Sequence, residues 1–151
     1  MEISCGFVIF HEPSNCVLMG RATNSGNEWS IPKGRKEDEE NDYQAALREL
    51  KEETNVNKDY IKDCRVFKLG KYEYKSKDKT LVPYLAVTFD DKYKDLKCNT
   101  FFTTDEGQEL PEFDKIEWVD FDSILNGDYI IHNTQVKMFL DVKNIVDSLE
   151  F

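Results

Sequence analysis

The sequence has no cysteine pattern that would bind a metal or form a redox pair. Its four cysteines, at positions 5, 16, 64 and 98, include no C-x-x-C pair and no metal-ligand spacing with either of the two histidines. Reduced, unpaired thiols are typical of proteins in a reducing compartment. We therefore expect core or surface cysteines and a cytoplasmic protein.

A long hydrophobic run is also missing. No apolar segment is long enough to cross a bilayer. Residues 3–10, the first apolar segment, lack both a basic leader and a small-residue cleavage site. The sequence therefore predicts neither a membrane partner nor a secretion signal.

Positive charge is scarce. The chain has 20 Lys and Arg against 30 Asp and Glu, which gives a formal net charge of −10. Non-specific binding to DNA or RNA depends on basic side chains that neutralise phosphates, so this balance argues against it. One local basic channel would still be enough for an RNA 5′ end. Phosphate chemistry stays open too, provided that metal ions screen an acidic site from an anionic substrate.

The length and the apolar content fit one domain. The 151 residues are 40% hydrophobic and 13% aromatic, enough for a single core within one domain of residues 1–151. Apolar runs around turn-forming residues predict a β-hairpin over residues 3–21 and a second over residues 64–89, with a charged tip at 75–79. Short strands are expected at 29–34 and at 116–121.

Three helices are predicted. The first spans about Asp42 to Thr54, with Asn55 in the left-handed conformation that often ends a helix. A short helix begins after Asp122 as its cap and ends at Gly127. The last nineteen residues form a closing helix with an apolar stripe that packs on the body. This stripe consists of Val136, Phe139, Leu140, Ile145, Val146 and Leu149.

Strands separated by helices indicate the fold class. They predict an α/β sandwich with a mixed β-sheet between helices. Only the polar segment 90–110 has no place in that scheme. It is long enough to serve as a lid.

Residues 34–56, GRKEDEENDYQAALRELKEETNV, carry the most informative pattern. At about 100° per residue, Glu49, Glu52 and Glu53 lie within one narrow arc of the predicted helix. Like charges at this spacing repel one another, so the face needs a counter-charge. A hard divalent cation with oxygen ligands is the natural one. The pattern therefore predicts a metal-binding helix face.

A solvated acidic face and a calcium-binding loop are two other interpretations of this segment. A solvated acidic face is common in a chain that is 33% charged, but it would not need an Arg, an aliphatic residue and a Gly in register with the carboxylates. A calcium-binding EF-hand loop is the second, because Asp38, Glu40, Asp42 and Glu49 fall at its acidic positions. Tyr43 stands where that loop needs Gly for its sharp turn. We therefore favour neither.

The spacing G-x5-E-x7-R-E-U-x-E-E-x-x-U, where U is aliphatic, resembles the signature box of the Nudix hydrolases. The resemblance covers nearly the whole chain and implies a Nudix-type α/β/α sandwich. It implies hydrolysis of a phosphoric anhydride with Mg²⁺ or Mn²⁺ as the cofactor. The metal ligands carried over by position are the carbonyl of Gly34 and the catalytic carboxylates Glu49, Glu52 and Glu53. Arg48 would orient these glutamates, and Glu40 would be a structural partner of the box.

The box departs from the family pattern at two places. Asn55 stands where the family usually has Gly, and Asp38-Glu39 replace a common Pro-Gly. The first change affects only the end of the helix, and the second only the loop before it. Every expected ligand keeps its register.

The resemblance extends outside the box. Glu112 stands six residues before Trp118, as does a glutamate of diadenosine tetraphosphate hydrolases in this superfamily. By this resemblance Glu112 is a further metal ligand or a general base, although a plain surface glutamate is the alternative. The segment 29–34, WSIPKG, is close to the W-x-x-P-K-G of the same hydrolases, so Lys33 would contact a phosphate. Further candidates for substrate contact, each as readily an ordinary surface or core residue, are Arg21, Lys79 and Tyr84.

These observations predict a metal-dependent pyrophosphohydrolase. Its nucleotide substrate would be a nucleoside diphosphate derivative, with dinucleoside polyphosphates favoured and ADP-ribose, FAD or an RNA 5′ end as alternatives. A nucleotide-binding module that lost turnover would be expected to have lost a helix carboxylate, and all three are present. A serine or cysteine hydrolase is disfavoured because the sequence has no G-x-S-x-G motif. The oligomeric state stays open.

Overall fold

The computed structural model describes residues 1–76 and 78–149. Lys77, in the predicted hairpin tip, and the last two residues of the predicted closing helix lie outside the described residues. The helices are α1 (Asp42–Thr54), α2 (Lys58–Lys62), α3 (Phe121–Leu125) and α4 (Asn133–Ser148). The strands are β1 (Glu2–His11), β2 (Cys16–Ala22), β3 (Glu28–Ser30), β4 (Lys33–Arg35), β5 (Arg65–Lys68), β6 (Tyr72–Glu73), β7 (Lys79–Thr88), β8 (Phe101–Thr103), β9 (Glu109–Pro111), β10 (Phe113–Asp120) and β11 (Ile130–Ile131).

Strand β1 lies at the centre of a mixed sheet. It pairs antiparallel with β2 and β4, and parallel with β7. The sheet has the order β11-β3-β2-β1-β7-β5, with β10 paired to β2 and β6 paired to β7. Both predicted hairpins are confirmed, since β1 pairs antiparallel with β2, and β7 pairs antiparallel with β5 and β6.

The two faces of the sheet are covered by different helices. Alternate residues of β1 point to opposite faces, as the period of a strand requires. Phe7 and Ile9 share a buried cluster with Leu50 of α1. Val8 and Phe10 share another with residues of α3 and α4. This confirms the predicted α/β sandwich with a mixed sheet between helices.

Helix α1 has the bounds that the sequence predicts. Asn41 caps its first turn: its side chain accepts from the amide of Gln44, whose own side chain accepts from the amide of Asn41. At the other end Asn55 adopts the left-handed conformation, with φ 72° and ψ 4°, and its amide bonds to the carbonyl of Lys51. Glu49, Glu52 and Glu53 therefore lie inside a helix that is capped at both ends. The segment does not form a calcium-binding loop.

One prediction about the C-terminal region is wrong and another holds in part. The cap of α3 is Asp120, whose carboxylate accepts from the amide of Ser123, while Asp122 lies inside the first turn. The closing helix packs on the body as predicted, since Phe139 is buried and Ile145, Val146 and Leu149 pack against the same cluster. The side chains of Val136 and Leu140 are 47% and 54% exposed, so these two residues do not belong to the packed stripe. Gln135, Met138 and Val142 complete the buried face instead.

Other differences concern short elements. Helix α2, which Asn57 caps, is not predicted from the sequence. The single strand expected at 29–34 is two short strands, β3 and β4. The segment 90–110 contains β8 and most of β9, which pair only with each other. No helix among the described residues is long and apolar enough to span a membrane.

Candidate active site

Helix α1 brings the three predicted carboxylates to the same side, where Arg48 contacts two of them. Its Nη1 donates to Oε1 of Glu49 at 2.8 Å and to Oε2 of Glu52 at 3.1 Å. Its Nη2 donates to Oε1 of Glu40 at 2.6 Å and to the carbonyl of Arg35 at 2.9 Å. Arg48 thus fixes the orientation of the helix glutamates and joins them to the loop that precedes the helix.

Gly34 brings the backbone of β4 against the carboxylate of Glu49. It pairs with Cys5 of β1, which fixes its position in the sheet. A Cβ at this residue would lie 2.1 Å from Cδ of Glu49 and 2.2 Å from its Oε2. Only glycine lets the strand pass so close, because any other side chain would occupy the space of the carboxylate.

Glu53 points into the interior beside Lys33. Its Oε1 accepts from the backbone amide of Lys33 at 2.9 Å. Burial raises the pKa of Glu53 to about 8, and the charges of Glu49 and Glu112 add to the effect. Burial also raises the pKa of Glu49, although Arg48 opposes it. Burial is thus the main cause for both carboxyls, and Glu112 lies near enough for its charge to act on Glu53.

The donor set fits a hard divalent ion. Carboxylate oxygens and a backbone carbonyl are the ligands that Mg²⁺ and Mn²⁺ prefer. Within residues 1–76 and 78–149, no three acidic, His or Cys side chains already converge as a metal-binding group. Arg48 and the amide of Lys33 hold oxygens of the three glutamates. A bound cation would compete with these donors and would offset the cost of burying the charges of Glu49 and Glu53.

A cavity of about 380 Å³ opens beside Glu53, whereas Glu49 and Arg48 line a separate cavity of about 520 Å³. The walls of the cavity beside Glu53 bring together four of the predicted site residues. These are Lys33, Glu53, Lys79 and Glu112. Two cations that can neutralise phosphate oxygens thus face two carboxylates that can bind a metal or accept a proton.

Two predicted substrate contacts are not brought to this cavity. Arg21 forms an ion pair with Asp114 at 2.7 Å on the neighbouring strand β10. Tyr84 is only 8% exposed, and its ring packs in the core against Tyr43 and Phe7 with centroids 5.1 and 5.8 Å away. The prediction of Tyr84 as a substrate contact is therefore wrong, because its ring belongs to the packing under α1.

An aromatic pair that the sequence does not predict lines the cavity. The rings of Tyr74 and His132 have centroids 5.0 Å apart, and Nζ of Lys79 lies 4.7 Å from the centroid of Tyr74. Both aromatic residues line the cavity of the carboxylates and also an adjoining open groove of about 650 Å³. No motif marks them, since the two residues lie on different elements that meet only in the folded chain.

The adjoining groove has a basic wall. It is lined by Lys71, Lys75 and Lys137, with Glu73 as an acidic neighbour. In a chain of net charge −10, three lysines around one groove are a local reversal of sign. Such a groove attracts anions.

Comparison with known proteins agrees with this geometry. The family model described as NUDIX domain matches residues 2–139. An RNA pyrophosphohydrolase of Pelagibacter ubique is 27% identical over 153 aligned positions, which cover 95% of this chain and 90% of that protein. A bis(5′-nucleosyl)-tetraphosphatase (asymmetrical) of Caenorhabditis elegans is 33% identical over 88 residues, or 55% of this chain and 62% of that protein.

The fold has a close structural counterpart as well. The crystal structure of a C. elegans Ap4A hydrolase in a binary complex superposes with a TM-score of 0.70 and 18% identity, covering 97% of this chain and 99% of the other. At that identity the likeness concerns the fold. The signature spacing, the matching domain model and the close approach of Gly34 to Glu49 lead to one assignment: the chain belongs to the Nudix family and is a Nudix pyrophosphohydrolase.

Proposed function

We propose that the protein hydrolyses a phosphoanhydride bond of dinucleoside polyphosphates with the help of Mg²⁺ or Mn²⁺. One observation carries the proposal: Glu53 and Glu112 line the same cavity as Lys33 and Lys79, and Glu49 lies near enough for its charge to act on Glu53. This arrangement provides acidic groups for a cation and basic groups for the phosphates of one substrate.

Each group has a role in this reaction. Gly34, Glu49, Glu52, Glu53 and Glu112 would hold the metal. When bound, the ion lowers the pKa of a water molecule and screens the phosphate oxygens. Lys33 and Lys79 orient the phosphate chain as point charges.

Glu112 accepts the proton of the attacking water. It is suited to this task because it lies between β9 and β10, and not on the helix whose glutamates Arg48 holds. The alternative role, a further metal ligand, uses the same carboxylate. Either role requires its charge in the cavity.

The aromatic pair supports a substrate with two nucleosides. Tyr74 and His132 line both the cavity and the groove, so a base stacked on them leaves the phosphates free to extend toward Lys33. A second nucleoside would then find space on the other side of the pair. The C. elegans relative, named for a dinucleoside tetraphosphate, agrees with this choice.

An RNA 5′ end is a second candidate. It is favoured by the three lysines of the groove, which would follow the phosphates of a single strand beyond the first nucleotide. The P. ubique relative, which is named an RNA pyrophosphohydrolase, supports it too. ADP-ribose and FAD, the other substrates expected from the sequence, have no such specific support.

A substrate panel tests the proposal. Diadenosine tetraphosphate, ADP-ribose, FAD and a 5′-triphosphorylated RNA are incubated with Mg²⁺ or Mn²⁺, and the products are separated. We expect the highest kcat/KM on diadenosine tetraphosphate, and no turnover with chelator. Preference for the RNA would select the second candidate, and turnover without any divalent ion would refute both.

A matched pair of variants tests the role of Glu112. Glu112→Gln should lower kcat by roughly 10²-fold, the size expected when a positioned proton acceptor is lost. Glu109→Gln, an exposed residue of β9 in the same acidic stretch, should leave kcat unchanged. Equal, small effects of both substitutions would refute the role.

A cytoplasmic location stays a prediction. The four free cysteines agree with it.

A further inference from the structure

The segment of residues 90–112, here called the strap, contains strands β8 and β9, which pair with each other and not with the main sheet. Other elements hold its two ends: the hydroxyl of Tyr60 and Nε1 of Trp118 donate to the carbonyls of Asp91 and Tyr93, and the hydroxyl of Thr23 donates to the carbonyl of Pro111. Helix α1 holds its middle. Two backbone bonds attach it to the end of α1. The amide of Lys97 donates to the carbonyl of Thr54 at 3.1 Å, and the amide of Asn99 to that of Glu52 at 2.6 Å.

Asn55 adds a third attachment, this time through its side chain. Its Nδ2 donates to the carbonyl of Asp95 at 2.8 Å and to Oδ2 of Asp95 at 3.2 Å. Its Oδ1 accepts from Nδ2 of Asn99 at 3.1 Å and from Nζ of Lys51 at 2.9 Å. The residue is only 6% exposed. The donor group and the acceptor of its amide are therefore both used, and both contact the strap.

The strap passes this attachment on to Glu112. Thr100, next to Asn99, accepts with its carbonyl from the amide of Glu112 at 3.0 Å. The carbonyl of Glu112 in turn accepts from the amide of Thr23 at 3.1 Å. The backbone of Glu112 is thus fixed on one side by strand β2's end and on the other by the part of the strap that Asn55 holds.

We propose that Asn55 is a positioning residue that sets the distance between the carboxylates of α1 and Glu112. The inference rests on the catalytic role of Glu112 proposed above. Asn55 follows Glu52 and Glu53 closely in the chain, and its side chain grips the segment that leads to Glu112. Glycine, the residue expected here from the family pattern, would end the helix equally well but could make none of these side-chain bonds.

That difference provides a substitution that spares the fold. Asn55→Gly keeps a backbone with φ 72° free of strain, because glycine adopts the left-handed region without a steric cost. It removes only the side-chain bonds to the strap and to Lys51. We expect kcat to fall roughly tenfold, since small misplacements of a catalytic group have large effects on rate, with KM changed less than about twofold.

Two controls separate this effect from a general one. Asn15→Gly makes the same change at another left-handed residue, φ 55°, in the turn between β1 and β2, and should leave kcat unchanged. Amide hydrogen exchange should become faster at Lys97 and Asn99 in Asn55→Gly, and should not change there in Asn15→Gly.

A double-mutant cycle with Glu112→Gln decides the proposal. If Asn55 acts through Glu112, then Asn55→Gly should cause no further loss of kcat when Glu112 is already Gln. An equal loss in both backgrounds would overturn the inference, as would an Asn55→Gly variant as active as Asn15→Gly. A Glu112→Gln variant as active as the parent would overturn the proposed role of Glu112, and with it the route from Asn55. A normal loss in Glu112→Gln with a silent Asn55→Gly would overturn the inference alone.

Discussion

Replacement of Gly34 by Ala is the most direct test of the site geometry. The added Cβ would stand 2.1 Å from Cδ of Glu49, while carbon atoms in contact are about 3.5 Å apart. The carboxylate must therefore move by roughly 1.4 Å, or the strand must move by the same amount. The strand is paired with β1 on both sides of the residue, so the end of the glutamate side chain will move.

The expected loss concerns catalysis far more than stability. A catalytic group misplaced by about 1 Å costs on the order of 10²-fold in rate, so kcat should fall by about that factor. Glu49 would also leave the reach of Nη1 of Arg48, which it now meets at 2.8 Å. Alanine in a strand regains roughly 0.5–1 kcal/mol relative to glycine, which offsets much of that lost hydrogen bond. The midpoint of thermal unfolding should therefore change little.

The assay compares Gly34→Ala with Gly70→Ala. At Gly70 a Cβ would meet nothing within 4 Å, so the same chemical change creates no clash there. The kcat at saturating Mg²⁺, the Mg²⁺ concentration for half-maximal rate and the thermal midpoint are measured for both variants. A Gly34→Ala protein within threefold of the parent in kcat and Mg²⁺ dependence would refute the assignment of this backbone to the metal site.

Substitutions at three further residues test the charges and the aromatic pair. Glu52→Gln should remove most turnover and leave the thermal midpoint intact, because it deletes a metal-binding charge and almost no volume; normal rates at saturating Mg²⁺ would contradict this. Hydrogen bonds from Arg48 hold the pKa of Glu40 below its ordinary value, so this carboxylate stabilises the fold above the unfolded pKa and the effect is lost as the pH falls through the folded pKa. Glu40→Gln should therefore melt roughly 3 °C lower at pH 7, with the difference shrinking below about pH 4, and a constant difference across pH would rule out the ion pair as its cause. Tyr74→Ala should raise KM about tenfold with a smaller effect on kcat, and Tyr74→Phe should behave as the parent; an unchanged KM in the alanine variant would exclude stacking.

Local patterns explain why α1 could be predicted in full. The sequence predicts its range from Asp42 to Thr54, and Asn55 ends the helix in the expected conformation. The glutamates then share one face by helix geometry alone. The prediction of Asp122 as the cap of α3 is wrong because β10 continues to Asp120, whose carboxylate caps the helix instead.

Long-range contacts account for what could not be predicted. Tyr74 and His132 are brought together by the packing of β6 and α4, and no spacing in the sequence encodes that. The sequence does not show which face of its strand Tyr84 occupies, so it does not exclude Tyr84 as a substrate contact. In the fold its ring packs against Tyr43. The sequence predicts segment 90–110 only as a possible lid. Its backbone bonds to the end of α1 join residues about 45 positions apart, which no local pattern encodes.

The parallel pairing of β1 with β7 has a consequence for how distant substitutions affect the site. The register runs without a break from Glu2 opposite Lys79 to His11 opposite Thr88. The chain between the two strands contains α1, so their pairing is non-local, and non-local pairing slows folding. β4 pairs with the other edge of the same central strand, so β1 joins β7 to the strand that carries Gly34. A substitution that shifts β7 would therefore reach the proposed metal site through β1, without a contact to any of its expected ligands.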